Sequence, residues 1–388
     1  MTTFASSKQK PAIMPRLLMA CSTVADGSGM MAAVAPLAGQ MDRRGFDVRL
    51  VGPIWPNERP VDDYQTHGVG VDVLPRRPCF PLPLADAWNT STAVADFARA
   101  GGCCVVHVHG VWTAANAAAC LRSQMLGVPY VVSPHGMLMP QAMKRSAWKK
   151  RLALCFAVRR NLELASVVHV TSAAEKDSVA AVAPQARVCI IPWGVDVSAF
   201  SVNARSPTAA RVAAYVGRFL PLKGVDDLVD AWAEVKPSRW KLRFIGSDPN
   251  HYSAALQRRI DSAGLGGVVS IDPQIAGPDM PQLLRGIDLL VLPSYSENFG
   301  FVVAEALAAG VPVITTTATP WAEVQNRQCG WCVLPGVVSL ADALRDGCSR
   351  SETELERMGQ RGRAWMEKEF SWKIIADRFV ADAYGLHE

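Results

Sequence analysis

The chain has 388 residues, 49% of them hydrophobic, with 40 Lys and Arg against 35 Asp and Glu and a formal charge of +5. That length is long for one core and suits two domains, and the basic residues are not joined in a module that would bind nucleic acid. The start, MTTFASSKQKP, lacks the apolar core of a signal peptide, and no uninterrupted apolar run reaches membrane-spanning length. Ten scattered cysteines, Cys103 and Cys104 adjacent, read as reduced, so a cytoplasmic protein is expected.

In chain order, the first half holds strand-like apolar runs at Arg16 to Ser22, Phe46 to Val51, Cys104 to His109, Tyr130 to Ser133 and Val167 to Thr171. The first run leads into TVADGSGMM, where Gly27 and Gly29 let the backbone approach a ligand at a helix start. This loop lacks the third glycine of a dinucleotide fingerprint, and the next strand runs into Pro53 and Trp55 instead of an acidic residue. VVHVHGVW and YVVSPHGML then deliver two His-Gly pairs, His109 and His135 with Gly136 among them, to strand carboxyl ends. His107, His109 and His135 have no Cys or carboxylate at ligand spacing, so no metal site is expected. No Ser or Asp stands at a defined offset for a catalytic dyad, and His107 reads as a core histidine.

No Asp or Glu occurs between Phe97 and Leu162, and KRSAWKKRLALCFAVRRNL carries Lys144, Arg145, Lys149, Lys150, Arg151, Arg159 and Arg160 beside Trp148, Leu152, Leu154 and Phe156. A basic amphipathic helix over 144–160 either sits on an anionic membrane surface, at about 1 kcal/mol per nearby basic residue, or is an ordinary solvated face. The halves join near IIPWGVDVSAF, Ile190 to Phe200, followed by a polar stretch at Ala204 to Thr208.

In the second half the strand-like runs are Val212 to Val216, Lys241 to Ile245, Val268 to Ile271, Leu289 to Leu292 and Val311 to Thr315, with helical segments between them. Strands alternating with helices in each half predict two doubly wound parallel sheets. YVGRFLPLKGVDDLVDAW ends a strand at Gly217 and places Arg218 and Lys223 on the following loop, where fixed cations suit a leaving group whose negative charge grows. SENFGFVVAEALAAG holds Glu297 on a loop after a strand and Glu305 in the helix beyond it, which stops at Gly310. Two carboxylates around a helix amino terminus suit a polyhydroxylated, phosphorylated ligand. CGWC at Cys329 to Cys332 has redox-dithiol spacing without the strand and helix context. FSWKIIADRFVADAYG closes the chain with apolar residues at helical spacing.

The two glutamates with seven residues between them closely resemble the signature of the retaining GT-B glycosyltransferases of family four. The resemblance implies two Rossmann-like domains facing across a cleft, over 1–195 and 196–370, with 371–388 a helix crossing back to the first. It implies that Glu297 contacts hydroxyls of the donor sugar, that Glu305 holds the nucleotide ribose, and that Asn298, Phe299 and Gly300 offer backbone amides. By the same resemblance, Gly217, Arg218 and Lys223 meet the donor diphosphate, Gly29 faces the phosphate or the acceptor, and His135 points toward the transferred sugar. His109 and Gly136 are placed on the acceptor side, His109 to contact the acceptor or to shape the cleft. Trp193 stands where the family usually has Asn, and IDPQIAG, Ile271 to Gly277, departs from the usual base-contacting loop. The implied activity is metal-independent transfer of a hexose from a UDP- or GDP-linked donor to a glycan or lipid-linked hydroxyl in cell-surface polysaccharide biosynthesis, with no cofactor. Two other readings are a nucleotide-sugar epimerase of the same architecture and a non-catalytic nucleotide-sugar-binding scaffold.

Overall fold

The computed structural model describes residues 14–25, 29–54, 58–61, 69–74, 82–102, 104–144, 147–201, 210–248, 250–275 and 277–385. Gly27, Trp55, Cys103, Arg145 and the stretch 204–208 lie outside them. The chain divides into two units: unit 1 is Met1–Val170, Asp177–Cys189 and Phe379–Glu388, and unit 2 is Thr171–Lys176 and Ile190–Arg378. The longer segment of unit 2 runs from Ile190, the first residue of the expected join, to Arg378, within the closing helical segment.

Unit 1 is built on a seven-stranded sheet of β1 (Arg16–Cys21), β2 (Asp47–Pro53), β3 (Val71–Leu74), β4 (Cys104–His109), β5 (Tyr130–Ser133), β6 (Val167–Val170) and β7 (Val188–Ile190). Its order is β3-β2-β1-β4-β5-β6-β7, and the pairs from β3 through β6 are parallel. β1 lies between β2 and β4, in register from Arg16 against Cys104 to Cys21 against His109. Leu17, Leu18 and Met19 are at most 2% exposed, as expected of a parallel strand covered on both faces.

Unit 2 holds β8 (Arg211–Val216), β9 (Trp240–Gly246), β10 (Val269–Pro273), β11 (Leu289–Leu292), β12 (Val313–Thr316) and β13 (Gly330–Val333). They form an all-parallel sheet in the order β10-β9-β8-β11-β12-β13. Both sheets are wound alike. From β1 or β8 the chain builds outward in one direction, and from β4 or β11 in the other, so each sheet has a topological switch point where open α/β sheets take ligands.

β3, β7 and β13 were not foreseen, and all three are edge strands. An edge strand is half covered, so VDVL, VCI and GWCV carry no continuous buried run to betray them. β13 also answers the CGWC spacing. Cys329 just precedes a strand, both thiols are free, and burial raises Cys329 to about 11 and Cys332 in the same direction, away from a reactive thiolate.

Trp193 is 1% exposed and packs on Trp372, with ring centroids 6.5 Å apart. A Cβ at Gly194 would lie 2.5 Å from that Trp372 ring, so the turn between the two tryptophans has room for glycine only. The Trp that replaces the family's usual Asn is therefore a core residue of unit 2.

The basic segment is not one regular helix. It comprises Pro140–Lys144, then Ala147–Ala153, a π turn at Leu154–Val158 and Arg159–Glu163. Trp148 is 66% exposed and Lys149 lies beside it. Lys150 instead turns inward, over the Trp112 ring at 5.3 Å and onto the Ala142 carbonyl, and Arg159 pairs with Glu163 at 3.0 Å. The side chains of Arg151, Leu152 and Phe156 are outside what the structure describes. No described helix is long and apolar enough to cross a membrane.

Candidate active site

In unit 2, the expected residues gather at the switch between β8 and β11. Gly217 follows β8 with φ +155°, and a Cβ there would sit 3.0 Å from the Tyr215 hydroxyl. That hydroxyl donates to the Arg218 carbonyl at 2.7 Å, which fixes the backbone under the exposed Arg218 side chain. Burial, and then the charge of Glu297, raise the Tyr215 phenol, so it stays a neutral donor.

Two close backbone approaches then join this loop to the one after β11. Gly224 has φ +69°, and a Cβ would lie 2.2 Å from the Pro293 carbonyl oxygen. The Tyr295 amide donates to the Leu222 carbonyl at 2.9 Å. Lys223 is thereby held beside Glu297, and their side chains, 15% and 16% exposed, form an ion pair. In so covered a place the pair is a strong charge-assisted hydrogen bond. A third approach lies underneath: a Cβ at Gly246 would meet the Gly217 carbonyl oxygen at 1.7 Å.

The Glu297 loop is tied at each residue. The Glu297 amide donates to Ala318 O at 3.3 Å. The Thr171 hydroxyl lies 3.2 Å from both Asn298 O and Oδ1 and 3.0 Å from Glu175 Oε2, its one proton serving these acceptors in turn. Phe299 is 3% exposed among Phe301, Trp321 and Phe370, and its carbonyl accepts from Trp321 Nε1. Its ring is core, so only its amide is left to serve a ligand.

Gly300, at φ +78°, starts the helix Phe301–Ala308 with no side-chain cap. A helix's first turn leaves its amides open and its positive end unneutralised. Glu305 sits in that helix half-buried, and among the described residues its carboxylate accepts no hydrogen bond. Burial raises it to about 7.

Unit 1 presents a different set at the switch between β1 and β4. The Ser22 hydroxyl lies 3.0 Å from His109 O and 2.9 Å from Asn116 Oδ1, while Asn116 Nδ2 donates to His109 O at 2.8 Å. Gly110 follows at φ +102°, where a Cβ would strike the Ser22 hydroxyl at 2.1 Å. His135 and Gly136 both have positive φ, +54° and +73°, a costly conformation for His that puts the ring at the end of β5. His135 Nε2 is 3.0 Å from His109 Nδ1. Burial, then the neighbouring His169, lowers His135 to about 3, so it is a neutral imidazole.

The acceptor-side placement of His109 needs correcting: its side chain is 0% exposed and lies behind His135, with no surface to offer a substrate. Gly29 is exposed, and a Cβ would meet no described atom within 4 Å, so nothing in the described fold demands glycine there. Among the described residues no group of three or more His, Cys, Asp or Glu is arranged to hold a metal.

Sequence reasoning missed Thr171, Tyr295 and Trp321, which hold the Glu297 loop from as far as 127 positions away. No local pattern marks such partners. Gly224 was legible as the glycine after Lys223, and Gly246 only as a glycine at a strand end.

Comparison with known proteins gives the family of the chain. Residues 28–194 match the glycosyl transferase 4-like domain, and residues 198–365 match glycosyl transferases group 1. The chain is 27% identical over 225 residues to the MMP alpha-(1->4)-mannosyltransferase of Mycolicibacterium hassiacum, covering 56% of this chain and 54% of that protein. It is 27% identical over 317 residues to the D-inositol 3-phosphate glycosyltransferase of Paenarthrobacter aurescens, covering 75% and 76%. The matched part thus spans about half the length of some of these relatives and three quarters of others. Among solved structures, sucrose-phosphate synthase from Thermosynechococcus elongatus superposes with a TM-score of 0.76 at 22% identity, over 96% of this chain and 99% of that one. Anabaena Alr3699/HepE, solved in complex with UDP and glucose, gives 0.77 at 20% identity, over 95% and 100%. With both halves matched in sequence and the two parallel sheets matched in structure, the chain belongs to the group 1 glycosyltransferases of GT-B fold.

Proposed function

We propose that the protein is a retaining glycosyltransferase that moves a hexose-type sugar from a nucleotide diphospho-sugar to a hydroxyl of a glycan or lipid-linked acceptor. One observation carries this reading. At the switch point of unit 2, Lys223 on the loop after β8 pairs with Glu297 on the loop that leads into a helix amino terminus with no side-chain cap. Amides, a cation and a carboxylate in one place match a diphosphate joined to a sugar.

Arg218 and Lys223 stabilise the diphosphate as its charge grows, a term worth more in the transition state than in the ground state. Glu297 binds sugar hydroxyls, and Glu305 accepts from the ribose. Retention follows from front-side attack, with the leaving phosphate helping to deprotonate the acceptor hydroxyl. Arg218 and Lys223 supply the positive charge that a metal supplies elsewhere, so the transfer needs no metal and no cofactor. Unit 1 serves the acceptor, and His135 gives a hydrogen bond to the transferring sugar.

A UDP-linked donor is the first candidate, because UDP and UDP-glucose occupy the structurally similar Anabaena protein; a GDP-linked donor is the second. The exposed Trp148 and Lys149 support a contact with an anionic membrane surface, which fits cytoplasmic assembly of a cell-surface polysaccharide on a lipid carrier. With Lys150 turned inward and Arg159 paired, that contact draws on fewer charges than the sequence holds.

A thermal-shift screen of the protein and its Glu305→Ala variant against UDP, GDP, ADP and their sugar conjugates tests the reading. Stabilisation by one nucleotide family that the variant loses supports the donor site and names the base. No shift with any of them overturns the donor-site reading, and turnover of the donor sugar without an acceptor would make the protein an epimerase.

A further inference from the structure

Beneath His135 lies a buried chain of hydrogen bonds that the proposed transfer does not yet use. The Tyr384 hydroxyl is 2.9 Å from His107 Nδ1, His107 Nε2 is 2.7 Å from Ser133 Oγ, and Ser133 Oγ is 2.7 Å from His169 Nδ1. His107 and His109, two apart on β4, face the same side with ring centroids 4.0 Å apart. All these side chains belong to unit 1, Tyr384 coming from its last segment.

The proton positions follow from satisfying each group. Tyr384 is 7% exposed, and His107 is the one hydrogen-bond partner of its hydroxyl among the described residues. A buried phenol O–H without an acceptor is costly, so Tyr384 donates to His107 Nδ1. His107 then carries its proton on Nε2 and donates to Ser133, and Ser133 donates its single proton to His169 Nδ1.

His109 resolves the same way. Its Nε2 is buried with no partner, so a proton there would be an orphaned donor, which folded proteins tolerate less than an under-used acceptor. Its proton therefore sits on Nδ1 and is given to His135 Nε2. His135 in turn carries its own proton on Nδ1.

We propose that His109 is a positioning residue, seated on the Tyr384–His107–Ser133–His169 chain, which holds His135 as a neutral imidazole protonated on Nδ1 so that the ring meets substrate as a hydrogen-bond donor and not as a base. The part about substrate rests on the glycosyltransferase reading; the proton positions do not. Directed order of this kind explains why a ring at φ +54° is worth holding, since Nε2 is already committed to a buried partner.

Two measurements on the full chain test it. Long-range proton–nitrogen spectra of protein labelled with 15N-histidine, assigned with the His109→Asn and His135→Asn variants, read the tautomer of each ring. The expected pattern at neutral pH is Nδ1–H for His109 and His135 and Nε2–H for His107 and His169. An Nε2–H or doubly protonated His135 overturns the proposal.

The second measurement is transfer kinetics. Asn keeps a donor near the position of Nδ1, so His109→Asn is expected to hold kcat within about threefold, whereas His109→Leu loses tenfold or more without changing the nucleotide's thermal shift. Equal losses in both variants, or none in either, overturn the positioning role. If His109→Leu fails to fold, the spectra of the unaltered protein still decide. Absence of any nucleotide shift would defeat the donor-site reading alone and leave the tautomer pattern standing.

Discussion

The switch points of the two sheets occupy the same place in the same winding, and they are furnished in opposite ways. In unit 2 the loops after β8 and β11 carry Arg218, Lys223, Glu297 and, one helix turn on, Glu305. In unit 1 the strands β4, β5 and β6 bring imidazoles and a hydroxyl together, joined to one another by hydrogen bonds, with His109 Nε2 buried and unpartnered among the described residues. An α/β switch point dictates where a ligand goes and not what it is. Formal charges left within reach of solvent suit a charged diphosphate, while an uncharged, pre-ordered set of donors suits sugar hydroxyls.

The contrast breaks most sharply at Lys223. On the proposed reaction Lys223→Ala removes a fixed charge beside the leaving diphosphate, and turnover is expected to fall on the order of 10² to 10³-fold with a smaller change in KM, read from initial rates across donor concentration. Normal transfer by this variant would mean that unit 2 carries its charges for some other purpose. Next comes the backbone on which both loops rest. Gly246→Ala forces a Cβ against the Gly217 carbonyl at 1.7 Å, so a loss of about 1–3 kcal/mol is expected in chemical denaturation, with the diphosphate loop displaced.

Glu305 allows a finer test, because binding and pH report on it separately. Glu305→Ala should weaken nucleotide binding roughly tenfold to a hundredfold, the worth of hydrogen bonds to a charged group. In the free protein its carboxyl titrates at about 7 against an ordinary value of 4.5. A group whose folded value is raised stabilises the fold fully below its unfolded value and loses that contribution as pH rises through the folded one. The unaltered protein should therefore lose thermal stability between pH 5 and 8 relative to Glu305→Gln, whose own curve is flatter over that window. Parallel curves would refute the burial of that carboxyl.

Smaller effects separate the loop from its supports. Thr171→Val removes the hydroxyl shared by Asn298 and Glu175, and a several-fold rise in donor KM is expected, with Thr171→Ser restoring it. Gly29→Ala should leave the melting temperature unchanged, because a Cβ meets no described atom there. A fall in transfer in that variant would show that a ligand, and not the fold, requires the glycine.

All ten strands read as apolar runs are present, and nine of them lie inside the sheets, where a strand covered on both faces must be continuously apolar and that demand is written locally. Three of the four edge strands, β3, β7 and β13, escaped because half-covered chain needs no such run, while β10 at the fourth edge was read from its short apolar run. The charged residues of unit 2 were visible for a related reason: Arg218 with Lys223, and Glu297 with Glu305, each lie within one loop or one loop and helix, so their spacing survives in the linear order. The histidine set was visible in composition only. His107, Ser133, His169 and Tyr384 come from β4, β5, β6 and the last segment, with His107 and Tyr384 separated by 277 positions. Which of these rings is buried, which faces outward and where each proton sits depends on partners that folding brings together, and hydrogen-bond direction has no counterpart in sequence spacing. Chemistry held in one loop is readable from the chain alone, whereas chemistry shared among strands exists only once the sheet has formed.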